Sequence, residues 1–494
     1  MPPQFDEETP LLQQHSQKPK VKRTPLPWLQ FSLVLFLQLT EPLTFQVISP
    51  FAPQLIRDIG ITHGEESKVG HYVGLLQSLF FFTQALTILH WARTSDRFGR
   101  KPVLLIGLFG MSVSMFCFGL SKTFWGLVMS RGLNGALNGN IGIIKSIVAE
   151  ITDSTNLSQA YGYMPIAWST GGVLGPLVGG ALSHPADQFP NIFGHSKFLR
   201  EYPYFLPCAV PAIFSAIAWI VTLLFLKETV PAAIPISRLF NFRKSKANLT
   251  LQTVTLQPEP SPASTEATND TFDIDNEKPV PLLALLRTPA VLISAGNYAS
   301  LGLVDIAIRA IQPLFFSTPI ELGGLGLSPA SIGKILSIIG LLMGLIQIFF
   351  FAKIHDRLGS KTTFTIGIGS AIPIFLTFPV MRYLVLANQG LTAWVWVVVG
   401  IQIFLFVLPS FAGGAIFIYI QASSPNRASL GVTNGFSQLS VSICRAVGPG
   451  LATSLFSVSM EKGYLGGYMV YYVLAGLAGL ALMAASLLPG QVRR

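Results

Sequence analysis

Charge is the scarcest feature of this 494-residue chain. Only 11% of its residues are charged and 50% are hydrophobic, with a mean hydropathy of +0.54. A soluble domain averages about 25% charged residues, so there are too few polar groups to coat water-facing globules, and an ordinary soluble enzyme is excluded. Cysteine is almost absent. Cys117, Cys208 and Cys444 each fall in apolar stretches, which leaves no disulfide framework and no Cys-based metal site. The seven histidines are scattered, no two at the i, i+3 or i+4 spacing of a helical metal pair, so a metal site is not expected. No nucleophile constellation or phosphate-cradling loop is legible, and no cofactor is implied. The first 27 residues lack the apolar core of a cleavable leader and run straight into a long apolar segment that serves as the insertion signal.

What the chain does have is apolar length. A helix needs about 20 apolar residues to cross roughly 30 Å of hydrocarbon. Twelve such runs are present: Trp28 to Pro50, Tyr72 to Trp91, Pro102 to Leu120, Trp125 to Ala149, Ala160 to Leu182 and Phe205 to Leu226, then Ala290 to Phe316, Ile332 to Ala352, Thr362 to Val380, Ala393 to Ile418, Leu430 to Val458 and Tyr468 to Leu488. Barrel strands would alternate over about 10 residues; these runs are continuous, so the expectation is an all-α membrane protein with twelve transmembrane helices. The organisation reads as a tail (1–27), a six-helix bundle (28–226), a polar linker (227–289), a second six-helix bundle (290–488) and a short tail (489–494). The linker's centre, rich in Pro, Ser, Thr and Asp, reads as disordered.

Lys and Arg total 33 against 23 Asp and Glu, a net +10. Position explains the excess. With the N-terminus in the cytoplasm, cytoplasmic segments hold 21 of the 33 basic residues, among them Arg427, Arg493 and Arg494, and the opposite loops hold seven. This bias places both termini in the cytoplasm and makes the charge a topology signal rather than a nucleic-acid surface. The sequons at Asn156, Asn248 and Asn269 then face the cytoplasm and carry no glycan. Glu7, Leu11 and Leu12 resemble an acidic dileucine signal read by sorting adaptors, consistent with a vacuolar or plasma-membrane protein.

An internal repeat divides the chain. Trp91 to Pro102 contains Asp96-Arg97-Phe98-Gly99-Arg100-Lys101, and Phe351 to Lys361 contains Asp356-Arg357-Leu358-Gly359-Ser360-Lys361, 260 positions later and at the matching place in the second half. Duplicated six-helix halves around a long linker are a transporter architecture, with substrate bound between the halves near the midplane. With these residues the chain resembles a major facilitator superfamily transporter of the twelve-helix drug:proton antiporter subfamily. Trp91 to Pro102 is similar to that family's first signature, with Ala92 in place of its first glycine. Ser130-Arg131-Gly132-Leu133-Asn134-Gly135 resembles the second, and Gly171 to Gly180 the third, which marks antiporters. Glu41-Pro42, Lys227-Glu228-Thr229, Gly323 to Ser328 and Arg445 to Pro449 are similar to a fungal and plant branch of zinc-induced-facilitator-like carriers. The sugar-porter signature after span six is absent.

Glu41 lies about 13 residues into span one, roughly 20 Å deep. An ionisable group there is a functional candidate by default: a desolvated carboxyl can take up and release a proton or hold a cationic substrate, or it can simply pair with an arginine. Arg131, about six residues into span four from the outer end, is tied by the resemblance to proton coupling and is expected to hold a nearby carboxyl ionised; otherwise it anchors the bundle. Asp305 and Arg309, four apart on one face, are able to pair with each other, and Arg445 in span eleven permits either reading. Asp96, Arg97, Gly99, Arg100 and Lys101, with Asp356 and Arg357, are read as a cytoplasmic gate, Asp96 through an acid's preference for a helix N-terminus. Gly171, Gly175 and Gly179 share one face beside Pro176 and Gly180, a small-residue ribbon suited to close packing or to a rocking interface.

The expectation is a monomeric secondary transporter in the lipid bilayer, exporting or sequestering a small organic molecule against protons, driven by an ion gradient since no Walker motif is present. A proton symporter or uniporter importing a nutrient, and a transporter-like sensor, remain open alternatives. If the dileucine signal operates, Leu11→Ala with Leu12→Ala moves a fluorescently tagged protein to the cell surface; unchanged localisation by microscopy removes it.

Overall fold

The computed structural model describes residues 24–153, 155–230, 282–426 and 429–490. Glu7, Leu11, Leu12, Arg427, Arg493, Arg494 and most of the expected linker lie outside the described residues.

Helices make up nearly all of what is described. In the first half they are α1 (Trp28–Gln38), α2 (Thr40–Gln46), α3 (Ala52–Ile59), α4 (Glu66–Phe98), α5 (Arg100–Gly119), α6 (Phe124–Leu137), α7 (Asn140–Ile151), α8 (Leu157–Leu182), the short α9 to α11 (Pro185–Gln188, Pro190–Phe193, Lys197–Glu201) and α12 (Phe205–Phe225). The second half has α13 (Leu282–Leu285), α14 (Pro289–Ser317), α15 (Pro329–Gly369), α16 (Ala371–Asn388), α17 (Ala393–Leu405), α18 (Leu408–Ser423), α19 (Leu430–Glu461) and α20 (Met469–Ser486). Among the described residues, seven helical stretches are individually long and apolar enough to cross a membrane, and bent α4 adds an eighth. The full twelve emerge when α1 is joined with α2, α6 with α7 and α17 with α18, and when α15 is divided at its kink and its second piece joined with α16.

Each break has a local cause. The α6–α7 break falls at Asn138-Gly139, where a Cβ on Gly139 would sit 2.4 Å from the Trp91 side chain. The Trp91 indole donates to the Ala136 carbonyl at 2.7 Å, satisfying an acceptor that the ending helix leaves without an intrahelical partner. α17 and α18 part just before Pro409, which has no N–H to give.

The repeated Asp-Arg-x-Gly segments between the apolar runs are helical on both sides of a single glycine. Helix α4 continues through Asp96 to Phe98, and α5 starts at Arg100; one residue, Gly99 (φ 101°, ψ 158°), makes the turn. Gly359 (φ 77°, ψ 166°) does the same inside α15. Both occupy a backbone region that only glycine enters without strain. The two turns are thus the structural reason for a glycine at this point of each half.

The halves meet along two helix pairs, α4 with α19 and α8 with α15. The largest apolar core crosses between them, from Phe51 and Val69 to Phe315 and to Phe378, which stacks on Tyr471 at 5.4 Å. Leu29, Trp125, Met129, Leu224, Phe349 and Phe404 are exposed instead, the apolar exterior that lipid requires. Gly99→Ala is expected to cost about 1–3 kcal/mol, read as a lowered unfolding midpoint in detergent, whereas Gly142→Ala, at a helical glycine with open space around it, is not. Equal midpoints would refute the strain argument.

Candidate transport site and gates

The site is built from polar groups that helix register carries into the join between the halves. Glu41, on α2, is buried. Gln84 on α4 donates from Nε2 to Glu41 Oε1 at 3.3 Å and to the Asn138 carbonyl at 3.4 Å, so one amide ties the carboxylate to the broken span four. The Asn138 side chain faces the same carboxylate. The cations whose fields reach Glu41 are Arg445 on α19 and Lys145 on α7, and these also act on each other. Gln438 lies seven residues before Arg445, two turns away on the same face. Its Oε1 stands 3.5 Å from both Lys145 Nζ and Tyr298 Oη, a loose polar bridge from α7 across to α19 and α14. Tyr298 is in turn within the fields of Arg445 and Asp305.

Asp305 and Arg309 pair with each other through Arg309 Nε at 3.0 and 2.9 Å to the two carboxylate oxygens, the local partnership their spacing allows. Both stay half-exposed in the middle of α14. Arg131 departs from expectation. It is buried with its guanidinium 4.7 Å from the Phe80 ring centroid and 5.5 Å from that of Phe45. It has no ion-pair partner among the described residues, and its Nη1 has no hydrogen-bond partner there. The aromatic faces supply its attraction. Of the two readings open for Arg131, a neighbour that keeps a carboxyl ionised or an anchor of the bundle, these contacts fit the anchor; the cations whose fields reach Glu41 are Arg445 and Lys145.

The first Asp-Arg-x-Gly segment forms a tight charged knot, by contacts different from those expected. Asp96 sits in the last turn of α4 and pairs with Arg100. The acid at the N-terminus of α5 is Glu228, whose carboxylate accepts from the Arg100 backbone N–H at 2.8 Å and that of Lys101 at 3.1 Å, a helix cap with favourable dipole. Arg100 also donates to Glu150 from Nε at 3.1 Å and Nη2 at 2.8 Å, and to Ser95 Oγ from Nη1 at 2.7 Å. Burial works against the Arg100 charge, but Glu150 and Asp96 outweigh it and strengthen its hold on the proton. Arg97 is exposed and outside the knot.

The second copy is looser. Asp356 and Arg357 are exposed, and Ser360 stands where the first copy has Arg100. The partner positions exchange chemistry: His355, replacing Ser95, contacts Ser360 Oγ through Nε2 at 2.8 Å. Lys361 donates to the Ser486 carbonyl at 2.8 Å. The charged knot therefore belongs to the first half alone.

The glycine ribbon divides between two neighbours. A Cβ on Gly171, Gly175 or Gly179 would come 2.6 Å from Pro42, 2.8 Å from Gln46 and 1.9 Å from the Val47 carbonyl, all in span one of the same half. The face turned to the other half carries Gly172, Pro176 and Gly180. A Cβ on Gly180 would stand 2.4 Å from the Pro329 carbonyl and 3.0 Å from Gly333, and one on Gly340 would stand 2.5 Å from the Gly172 carbonyl. Ser337 Oγ donates to the Val173 carbonyl at 2.8 Å. On the second pair Gly70 and Gly74 face Ser457 and Thr453, Ser78 Oγ accepts from the Gly450 N–H at 2.8 Å, and His71 contacts Ser454 at 2.9 Å. These close approaches lie toward the end of the molecule opposite Asp96.

At that end Arg57 closes the seam. Its Nε holds Glu66 at 2.9 Å, while Nη1 donates to Ser317 Oγ at 2.6 Å and Nη2 to the Ser317 carbonyl at 3.0 Å. A cation from one half thus caps the C-terminus of α14 in the other. Asp58 beside it accepts from Gln54 at 2.8 Å, from Tyr204 and from His184 at 3.1 Å. Burial pushes the Asp58 carboxyl up, but the His184, Tyr204 and Gln54 contacts outweigh it and hold it below its ordinary value.

Sequence reasoning missed Gln84, Gln438, Tyr298, Glu150 and Arg57 as site residues. Lys145 is one of the five basic residues that the count of 21 and seven out of 33 leaves within the apolar runs, and Glu228 belongs to the Lys227-Glu228-Thr229 match; the others are ordinary polar residues until the fold brings them together. Arg57→Ala is expected to loosen the seam. With Cys117, Cys208 and Cys444 replaced and Ser454→Cys introduced, labelling by a membrane-impermeant maleimide then accelerates severalfold; identical rates would show that Arg57 does not hold it.

A sequence profile of the Major Facilitator Superfamily matches residues 34–449. The efflux pump azaK of Aspergillus niger is 29% identical over 466 residues, covering 94% of this chain and 89% of its own. Protein ZINC INDUCED FACILITATOR 1 of Arabidopsis thaliana is 28% identical over 461 residues, covering 92% and 90%. The crystal structure of a D-xylose-proton symporter aligns with a TM-score of 0.65 at 15% identity, covering 93% of this chain and 97% of that one, a likeness of fold alone. With the matched profile spanning both six-helix halves and the repeated glycine turns, the chain belongs to the Major Facilitator Superfamily and is a membrane transporter of small molecules rather than an enzyme.

Proposed function

We propose that the protein is a proton-coupled antiporter that exports or sequesters a small organic molecule by alternating access. The observation that carries this reading is Glu41: it is the buried carboxylate among the described residues, near mid-span, and it answers to Arg445 in the opposite half. A carboxylate so placed senses both a proton and the relative position of the two halves. An efflux pump among the relatives supports export.

In this reading the Asp96 end and both termini face the cytoplasm, in a vacuolar or plasma membrane. The seam sealed by Arg57, Gly180 and Gly333 then corresponds to the state closed away from the cytoplasm. The Arg100 knot braces the cytoplasmic ends of α4, α5 and α7 as one rigid unit, so the first half moves as a body. Arg131 acts as a buried anchor held by Phe80 and Phe45.

The test uses the purified full chain in sealed vesicles with an imposed inside-acid gradient, adding amphipathic cations, weak acids and amino acids outside. Substrate-dependent proton efflux that falls at least tenfold in Glu41→Gln, with the variant still monodisperse, is expected. Efflux unchanged in Glu41→Gln removes this carboxylate from the coupling.

A further inference from the structure

At the end of the molecule opposite Asp96, a cavity of about 530 Å³ lies within the first half, between α3, the α5–α6 connection and the short helices α9 and α11. It is separate from the join that holds Glu41, and the transport reading makes no use of it. His184 and Asp58 stand on its wall, both partly exposed, with His184 Nε2 at 3.1 Å from Asp58 Oδ2. The His184 ring packs edge-on against Tyr204 at 5.0 Å, and the Tyr204 hydroxyl donates to the same carboxylate. The other charged groups around the cavity are Asp187 on α9, Lys122 ahead of α6, and Arg200 and Glu201 on α11. Lys122 pairs with Glu201, and Asp58 is the carboxylate that His184 contacts.

A chain of side-chain contacts leads from this wall to the other half. Gln54 donates from Nε2 to Asp58 Oδ1 at 2.8 Å, and its Oε1 lies 3.5 Å from Arg57 Nη1. That same Nη1 donates to Ser317 Oγ at 2.6 Å, at the C-terminus of α14. Gln54, Arg57 and Asp58 all stand on α3, so this one helix joins the cavity to the seam. Histidine is the side chain whose charge changes between about pH 5 and 8, and the cavity brings water to this one. A neutral imidazole gives Asp58 an ordinary hydrogen bond; a charged one gives it a charge-assisted contact, which is stronger. Charging His184 therefore fixes α3 more firmly and with it the reach of Arg57 to Ser317. This contribution is present in acid and is lost as pH rises through the histidine range.

We infer that His184 is a proton sensor for the aqueous phase at this end, and that its charge, relayed through Asp58, Gln54 and Arg57, strengthens the closed seam. The inference goes beyond the antiport reading and does not depend on Glu41. The experiment uses the full chain in detergent with Cys117, Cys208 and Cys444 replaced and Glu41→Gln added, so that the other proton site contributes nothing. Spin labels at Trp125→Cys and Trp394→Cys, both exposed and in opposite halves, report closed and open populations by double electron–electron resonance at about pH 5.5 and 7.5. Expected is a closed-to-open ratio at least threefold higher in acid. The response is expected to vanish in His184→Asn, since asparagine tolerates the left-handed backbone at this position (φ 52°, ψ 56°), and also in Arg57→Ala. Equal ratios at the two pH values overturn the inference. A response retained in His184→Asn belongs to another group, such as His71 against Ser454, and overturns the sensor role. A response retained in Arg57→Ala overturns the relay. Each of these outcomes leaves antiport to be decided by the vesicle assay alone.

Discussion

The structure depends on backbone meeting backbone between the two halves. Lipid offers helices no hydrophobic reason to associate, so packing contacts and hydrogen bonds must hold them together. Gly180 against Gly333 and Gly340 against Gly172 provide that on one side, and Gly74 against Pro449 and Thr453 on the other. At 3 Å or less from a hypothetical Cβ to the opposite chain, any larger residue forces the halves apart. The remaining features of the join depend on that closeness. Arg57 reaches Ser317, and Glu41 senses Arg445, only because the helices have already come together.

The pseudo-symmetry of the halves is a symmetry of backbone more than of chemistry. Gly99 and Gly359 make the same glycine-only turn at the same place. Around the first, Arg100 gathers Asp96, Glu150 and Ser95 while Glu228 caps the next helix. Around the second, a His355–Ser360 contact stands where the first copy has the Ser95–Arg100 one. A knot confined to one half makes that half rigid at its charged end without pinning it to the other.

Much of this was legible in the residues. Twelve apolar runs, the duplicated Asp-Arg-x-Gly segments and the Gly-Pro ribbon follow from composition and spacing, because lipid and helix geometry act on local sequence. The Asp305–Arg309 pair was equally readable, four residues on one helix being a contact the helix makes by itself. The expected role of Asp96 as an N-terminal acid was not borne out: the acid at the start of α5, Glu228, comes from the far end of α12, more than a hundred residues along the chain. Arg131 was expected beside a carboxylate; its neighbours are Phe80 and Phe45, whose attraction for a cation leaves no trace in spacing.

Sequence alone therefore determined the span count and the duplication, since each is set by hydropathy or by a repeated motif over a few residues, while the need for glycine at Gly99 and Gly359 came from the backbone angles of the fold. The tertiary structure decided which charges meet. Glu41 with Gln84, Arg57 with Ser317 and Glu228 with the start of α5 join residues 43, 260 and about 128 positions apart. Such pairings depend on how helices rotate and cross, which no local pattern encodes.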